Sequence, residues 1–359
     1  MCESANFKRM GVKSEVELTP RKCAILAAVV KYHIATGEPV GSKWLTGVLE
    51  NAPSSATLRN EMSDLCSLGY LEQPHTSAGR VPTSKGYEFY VSRLMSEDDL
   101  PDSVKLVIDQ RLEEAAHDME TLAPAAAKIL SSITGLPAFC AKIADDSLVV
   151  KRVEVMPMGA NLIMMVAFTS DGKAKSKLCR SGMPLTQGKL EALSRLIKQN
   201  VEGKPLYMLT AANMQNMLSC AGADALLFLP LISSLLEMIE EMGKSSIQLS
   251  GEANLYSLLS GGGSSEKLIS FIERKEGILS LISKPAEKAA VIFGSDTGYR
   301  ELDRSTLVVA PYGPQGALAG RLGVIGPTRM SYGRILPSIA YLCARVSKLM
   351  NENLEWQEE

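Results

Sequence analysis

Between Leu18 and Leu94 the apolar positions follow a helical rhythm three times and then change period. Thr19 followed by Pro20 is an N-cap with proline at the first helical position. Ile25, Val29 and Tyr32 then recur on one face until Gly37 stops the helix. Ser42 is the expected cap of a second helix carrying Trp44, Leu45, Val48 and Leu49, which "ENAP" breaks. Ser54 or Ser55 caps a third, whose Leu58, Met62 and Leu65 lie within about 60° of one another at about 100° per residue. Gly69 ends it. Next, "YLEQPH" and "GRVPT" are short extended pieces around "TSA", which predicts a hairpin with a loop longer than two residues and with Leu71 and Val81 facing inward. Thr83 then caps a helix with Tyr87, Tyr90, Val91 and Leu94 on one stripe.

Downstream, "SEDDLPDS" reads as a linker ending in a cap. Helical segments follow to Ser132, broken near "LAPAAA", with Leu106, Leu112, Met119 and Leu122 among their apolar positions. "SLVVKRVEVMPMGANLIMMVAFTSDG" predicts two strands joined by a turn at Gly159 to Asn161. Helices dominate again from about Leu185 to the Gly-rich break "SGGGSSEK". Strands return at "AAVIFGSD", "STLVVAPYG" and "GRLGVIGP", and an amphipathic helix from Tyr332 to about Asn353 closes the chain. Strands, a helical middle and strands again imply one sheet domain with an insertion.

The chain has 359 residues, more than one hydrophobic core usually organises. Lys and Arg number 38 against 40 Asp and Glu, so a charged partner must be met by a local patch. Residues 18 to 95 hold eight basic and six acidic residues; residues 96 to 133 hold three and nine. Seven scattered cysteines at no metal or redox spacing suggest reduced thiols and a cytoplasmic location. His33, His75 and His117 are too dispersed in sequence to suggest a metal site or a triad, so neither cofactor nor enzymatic activity is expected. The opening residues show no apolar signal segment. The apolar run Ala225 to Leu236 is short for a bilayer, contains Pro230 and leads into Glu237, Glu240 and Glu241. A buried helix is expected there, and no membrane association.

The candidate chemistry lies on the third helix and the hairpin. Opposite the apolar stripe the helix presents Ala56, Arg59, Asn60 and Ser63, with Ser54, Ser55 and Thr57 around its N-terminus. Arg can read guanine and Asn adenine in a major groove, while N-terminal amides and hydroxyls suit phosphate. An ordinary solvated helix face has a similar composition. The hairpin tip, with His75, Thr76, Ser77, Gly79 and Arg80 left outside, weighs toward nucleic acid, because three helices and a hairpin is the winged helix-turn-helix plan. Lys43 is a further candidate phosphate contact. The small basic excess implies few phosphate contacts per subunit, hence a dimer.

Other motifs carry less. "GGGSSEK" lacks the Gly-Lys-Ser/Thr ending of a phosphate loop. Asp145 with Asp146, and Glu240 with Glu241, are sequence neighbours that point apart. In "GRLGVIGPTRMSYGR", Arg329 beside Tyr332 and Arg334 could hold an anion or a neighbouring domain, but a strand-to-helix turn with a structural arginine is the favoured reading.

"GEPVGSKWL", "SSATLRNEMSDLCSLGYLEQPHTSAGRVPTSKGYEFYV" and "GRLGVIGPTRMSY" closely resemble the HrcA family of heat-inducible transcription repressors, from about Leu18 to Met350 in order. The resemblance implies an α+β multidomain protein. It would have a winged helix-turn-helix DNA-binding domain (18–95), a GAF-like α/β domain (96–172 and 266–359) and an inserted, mainly helical dimerisation domain (173–265); residues 1–17 are an N-terminal extension additional to the family pattern. It also implies a cytoplasmic homodimer that binds an inverted-repeat operator of chaperone operons in double-stranded DNA and is supported by the GroE chaperonin. The recognition face then falls on Ser54, Ser55, Thr57, Arg59 and Asn60, and the wing on His75, Thr76, Ser77, Gly79 and Arg80. Lys43 and Trp44 stand where the family usually has Arg-Thr. Ser295, Asp296 and Thr297 follow Gly294 where it has any residue and then Glu-Asn. A small-molecule sensor with its ligand in the GAF-like domain is the alternative function, and a winged helix that binds protein is a third.

Overall fold

The computed structural model describes residues 18–75, 78–96, 99–144, 148–251, 253–254, 264–283, 289–314 and 318–355. Two compact units divide the chain: one takes the residues up to Lys142 and from Ser246 onward, the other runs from Ile143 to Ser245.

The first unit begins with α1 (Pro20–Thr36), α2 (Ser42–Val48) and α3 (Ser55–Ser67), then the antiparallel ribbon β1 (Leu71–Glu72) and β2 (Val81–Pro82), then α4 (Ser84–Phe89), which continues as a π-type turn over Tyr90–Leu94. The helix signals act as expected in α1, α3 and α4. Thr19 accepts from the Lys22 amide at 3.4 Å, Ser54 from Thr57 at 3.2 Å and Thr83 from Gly86 at 3.1 Å. Gly37 closes α1 in the left-handed conformation at φ 80°. Ile25, Val29, Leu45, Leu58, Met62, Leu65, Leu71, Tyr87 and Tyr90 are buried together.

Several local expectations are corrected. Gly41 precedes α2 and Ser42 is its first residue, without a side-chain cap. Val48, the last residue of α2, is 53% exposed, and Leu45 is the buried residue of that helix. Leu71 faces inward as expected, but its partner across the ribbon is Pro82, which is buried in place of Val81, so only the β2 position is one residue out of register with the expectation.

After the linker come α5 (Asp102–Ala115) and α6 (Met119–Thr134). The break lies at 116–118, and α6 runs through Pro124. Leu106 is 60% exposed; Ile108 and Leu112 form the buried stripe of α5. Five antiparallel strands in the order β7-β3-β10-β9-β8 form the main sheet: β3 (Ala138–Lys142), β7 (Ser246–Ser250), β8 (Ala290–Phe293), β9 (Ser305–Tyr312) and β10 (Gly320–Pro327). Two helices, α10 (Ser264–Glu273) and α11 (Glu276–Ile282), lie between β7 and β8 in the chain, and α12 (Tyr332–Glu355) ends it. Leu322 and Val324 of β10 join Ile335, Ile339, Leu342 and Val346 of α12 and Leu122 and Leu130 of α6 in the same cluster as the α1–α4 core. At Gly323, paired with Phe139, a Cβ would overlap the Phe139 ring.

The second unit holds an antiparallel meander of β4 (Val150–Pro157), β5 (Leu162–Thr169) and β6 (Ala174–Arg180), followed by α7 (Gln187–Asn200), α8 (Ala211–Cys220) and α9 (Ala225–Gly243). Ile163, Met165 and Ala167 of β5 alternate inward against Leu193 and Ile197 of α7 and Leu231, Leu235 and Met238 of α9. The excursion therefore runs from Ile143 to Ser245, whereas the sequence reading places the insert at 173–265. The offset has a physical cause: β4, β5 and β6 pair only with one another, and Lys142 of β3 pairs directly with Ser246 of β7. Among the described residues α9 lies in the single helix long and apolar enough to cross a membrane, and it buries Phe228, Leu231, Ile232, Leu235 and Met238 in its own unit.

Candidate nucleic-acid interface

Helix α3 owes its exposed face to the strictness of its buried one. With Leu58, Met62 and Leu65 inside, the 100° step leaves Ala56, Arg59, Asn60 and Ser63 exposed. Ser54 is also exposed, with its hydroxyl 3.0 Å from that of Thr57, so both hydroxyls lie at the helix N-terminus. Ser55 is half-buried because its hydroxyl meets that of Ser42 at 2.9 Å. That bond ties the N-terminal turns of α2 and α3 together, a role not anticipated for Ser42. Lys43, next in α2, is exposed.

The electrostatics favour Arg59 as the available charge. Lys22 of α1 lies 3.2 Å from Glu61 and 3.0 Å from Asp64, and hydrogen bonds to these carboxylates hold its pKa above the usual lysine value. Arg59 is the one cation within α3 and forms no ion pair among the described residues.

The ribbon is held from two sides. Val40 and Arg80 exchange backbone hydrogen bonds, Val40 N to Arg80 O at 2.9 Å and Arg80 N to Val40 O at 2.8 Å. Gly79 fits because a Cβ there would collide with the Val40 backbone, so packing explains this glycine without a ligand. Gln73 Nε2 donates to Ala78 O at 3.3 Å within the tip. His75 is exposed and Arg80 half-buried, while Thr76 and Ser77 lie outside the described residues. On the inner side, a Cβ at Gly86 would meet the Tyr70 carbonyl, and Lys85 donates to Leu68 O at 2.9 Å with its ammonium over the Tyr70 ring. Trp44 is half-buried and stacks obliquely on Tyr32 at 4.3 Å between centroids.

The late motif forms a joint with α1 and α4. The Arg329 guanidinium lies against the Gly37 turn, where a Cβ would stand 3.1 Å from Cζ. Tyr332 is fully buried and donates to Thr328 O at 2.7 Å; its ring lies 6.3 Å from that of Tyr87 and 6.3 Å from that of Phe293. Burial pushes the Tyr332 phenol well above its ordinary pKa. Tyr87 in turn shares a 2.7 Å hydrogen bond with His33 Nδ1. Arg334 is exposed and apart from these contacts. Sequence spacing gave no signal that Arg329 and Gly37, almost three hundred residues apart, would touch. At Gly294 a Cβ would overlap the Leu302 carbonyl, and Thr297 donates to Gly294 O at 2.7 Å, closing the turn that carries Ser295 and Asp296.

No group of three or more His, Cys, Asp or Glu among the described residues could hold a metal ion. Glu240 and Glu241 are exposed, whereas Asp145 and Asp146, and the glycines 261–263, lie outside the described residues. Cys140 and Cys343 are buried; burial raises the Cys140 thiol to about 11 and Cys343 further still.

The chain is a mixed α/β protein with an exposed, hydroxyl-rimmed helix face and a short ribbon beside it. The family model "HrcA protein C terminal domain" matches residues 120–336. A heat-inducible transcription repressor HrcA of Clostridioides difficile (strain 630) is 33% identical over 342 residues, covering 93% of this chain and 100% of its own. The protein of that name from Mycolicibacterium gilvum (strain PYR-GCK) is 31% identical, covering 92% of this chain and 97% of its own. A crystal structure described as a hypothetical protein is 22% identical with a TM-score of 0.61, covering 94% of this chain and 99% of that one, a likeness of fold. The chain belongs to the HrcA family.

Proposed function

We propose that this chain is a heat-inducible transcription repressor that binds double-stranded DNA and performs no chemistry of its own. Residues 18–95 act as a winged helix-turn-helix: α3 enters the major groove with Arg59, Asn60 and Ser63, and the β1–β2 ribbon is the wing, carrying His75, Thr76, Ser77 and Arg80 to the backbone or minor groove. Ser54, Thr57 and Lys43 hold phosphates, and Ser55 fixes the angle between α2 and α3. The observation that carries this reading is the α3 face, where Arg59 is exposed and unpaired among the described residues while Leu58, Met62 and Leu65 anchor the opposite side.

The operator is an inverted repeat upstream of chaperone operons, read by a homodimer whose two-fold axis matches it. The unit from Ile143 to Ser245 is the dimerising part. Its support is exposed apolar surface: Leu226 is 85% exposed on α9 with Leu229 one turn away, and Leu178, Met156 and Phe168 are exposed on the meander. The main sheet with α6 and α12 is the GAF-like body. The repressor works in the cytoplasm, and the GroE chaperonin supports its active form. Operator binding by fluorescence anisotropy against a scrambled duplex, with and without chaperonin, tests the reading; binding unaffected by chaperonin over the whole temperature range rejects that partner.

A further inference from the structure

A cavity of about 530 Å³ opens in the first unit beside the Tyr87–Tyr332 joint, away from the α3 face. Ile34 of α1, Tyr90, Leu100, Val104 of α5 and Pro337 of α12 give it apolar walls. Lys31 stands on the same side of α1 as Ile34, three residues away, and Arg334 stands likewise to Pro337. Both cations are exposed, and neither forms an ion pair among the described residues. Asp99 is the lone acid in the lining, so the basic groups outnumber it two to one.

Exposed, solvated lysines and arginines are ordinary. Two that flank an apolar hollow of this size are less so, since cavities of roughly 300–1,000 Å³ with apolar walls and a few convergent polar groups are the usual form of small-molecule sites. A wholly apolar guest would leave the cations unused, and a small inorganic anion would leave the hollow unfilled. The guest that satisfies both features has an apolar body and one carboxylate. We propose that this cavity binds a small amphipathic carboxylate, its chain or ring between Ile34, Val104 and Pro337 and its carboxylate between Lys31 and Arg334. The Ser331 hydroxyl, also in the lining, supplies a neutral donor. Lining residues come from α1 as well as α12, so an occupied cavity braces the helical part of the unit against the body. The site is defined by binding alone and does not depend on the DNA-binding reading.

Calorimetric titration of the full-length chain with butyrate, hexanoate, octanoate and neutral octanol tests it. The expected result is saturable binding that tightens roughly fourfold per methylene along the carboxylate series, with octanoate above octanol. Lys31→Gln combined with Arg334→Gln should remove the advantage of octanoate over octanol. Val104→Trp, which fills the hollow, should weaken both guests about tenfold or more with the circular dichroism spectrum unchanged. Absence of saturable octanoate binding, or binding that persists unchanged in both variants, overturns the proposal.

Discussion

The Tyr87 hydroxyl and His33 Nδ1 lie 2.7 Å apart, joining the helix after the ribbon to the last turn of α1, with Tyr87 also facing the buried Tyr332 ring. Burial and then the nearby Arg329 charge lower the His33 pKa, with Glu38 opposing. The unfolded chain therefore binds this proton more readily than the folded one. Its contribution is fully present above the unfolded value near about 6.5 and is lost as pH falls through the lower folded value. Urea midpoints should fall between about pH 7.5 and pH 5.5, and His33→Gln should flatten that dependence. An unchanged slope in the variant would remove His33 from the titration.

Gly79→Ala should destabilise the protein by about 1–3 kcal/mol, because the new methyl meets the Val40 backbone rather than a yielding side-chain tip. Chemical unfolding measures this. A neutral result would mean that the Val40–Arg80 bridge can open without cost.

Ser54→Ala removes the α3 cap and should cost about 1 kcal/mol in the same assay. Ser54→Gly should cost only a few tenths, because glycine leaves the N-terminal amides open to water.

Much of the first 95 residues was legible because capping residues mark helix starts and strict spacing marks buried faces: Thr19 with Pro20, Ser54, Thr83, and the Leu58–Met62–Leu65 stripe. Strands β3, β6 and β7 were not. "AFCAK" is a short, almost continuously apolar segment, "SIQLS" alternates over only five residues directly after a long helix, and "AKSKLCR" is a polar edge strand whose buried side is only Cys179. Pro124 reads as a breaker, but α6 runs through it. The limits of the second unit depend on which strands pair across more than a hundred residues, as Lys142 does with Ser246, and local periodicity carries no such information. The same holds for Arg329 at Gly37. The α3 face was readable from helical geometry, whereas the packing role of Gly79 required the Val40 loop.

If the second unit carries the dimer contact, Leu226→Glu should shift the chain toward monomer in sedimentation velocity and weaken binding to the full inverted repeat far more than to a single half-site. A dimer that survives Leu226→Glu, Leu229→Glu and Leu178→Glu alike would place the contact elsewhere.

Lys43→Ala should reduce the slope of log affinity against log salt by about 0.9 per subunit while leaving sequence preference intact. No change in slope would take Lys43 out of the interface.

The most direct test is anisotropy with the chaperone-operon inverted repeat and a scrambled duplex, for the unaltered chain and for Arg59→Ala. The unaltered chain should prefer the operator by roughly a thousandfold or more, and Arg59→Ala should lose about 1–3 kcal/mol on the operator but little on the scramble. Equal affinity of the unaltered chain for both duplexes would contradict the account.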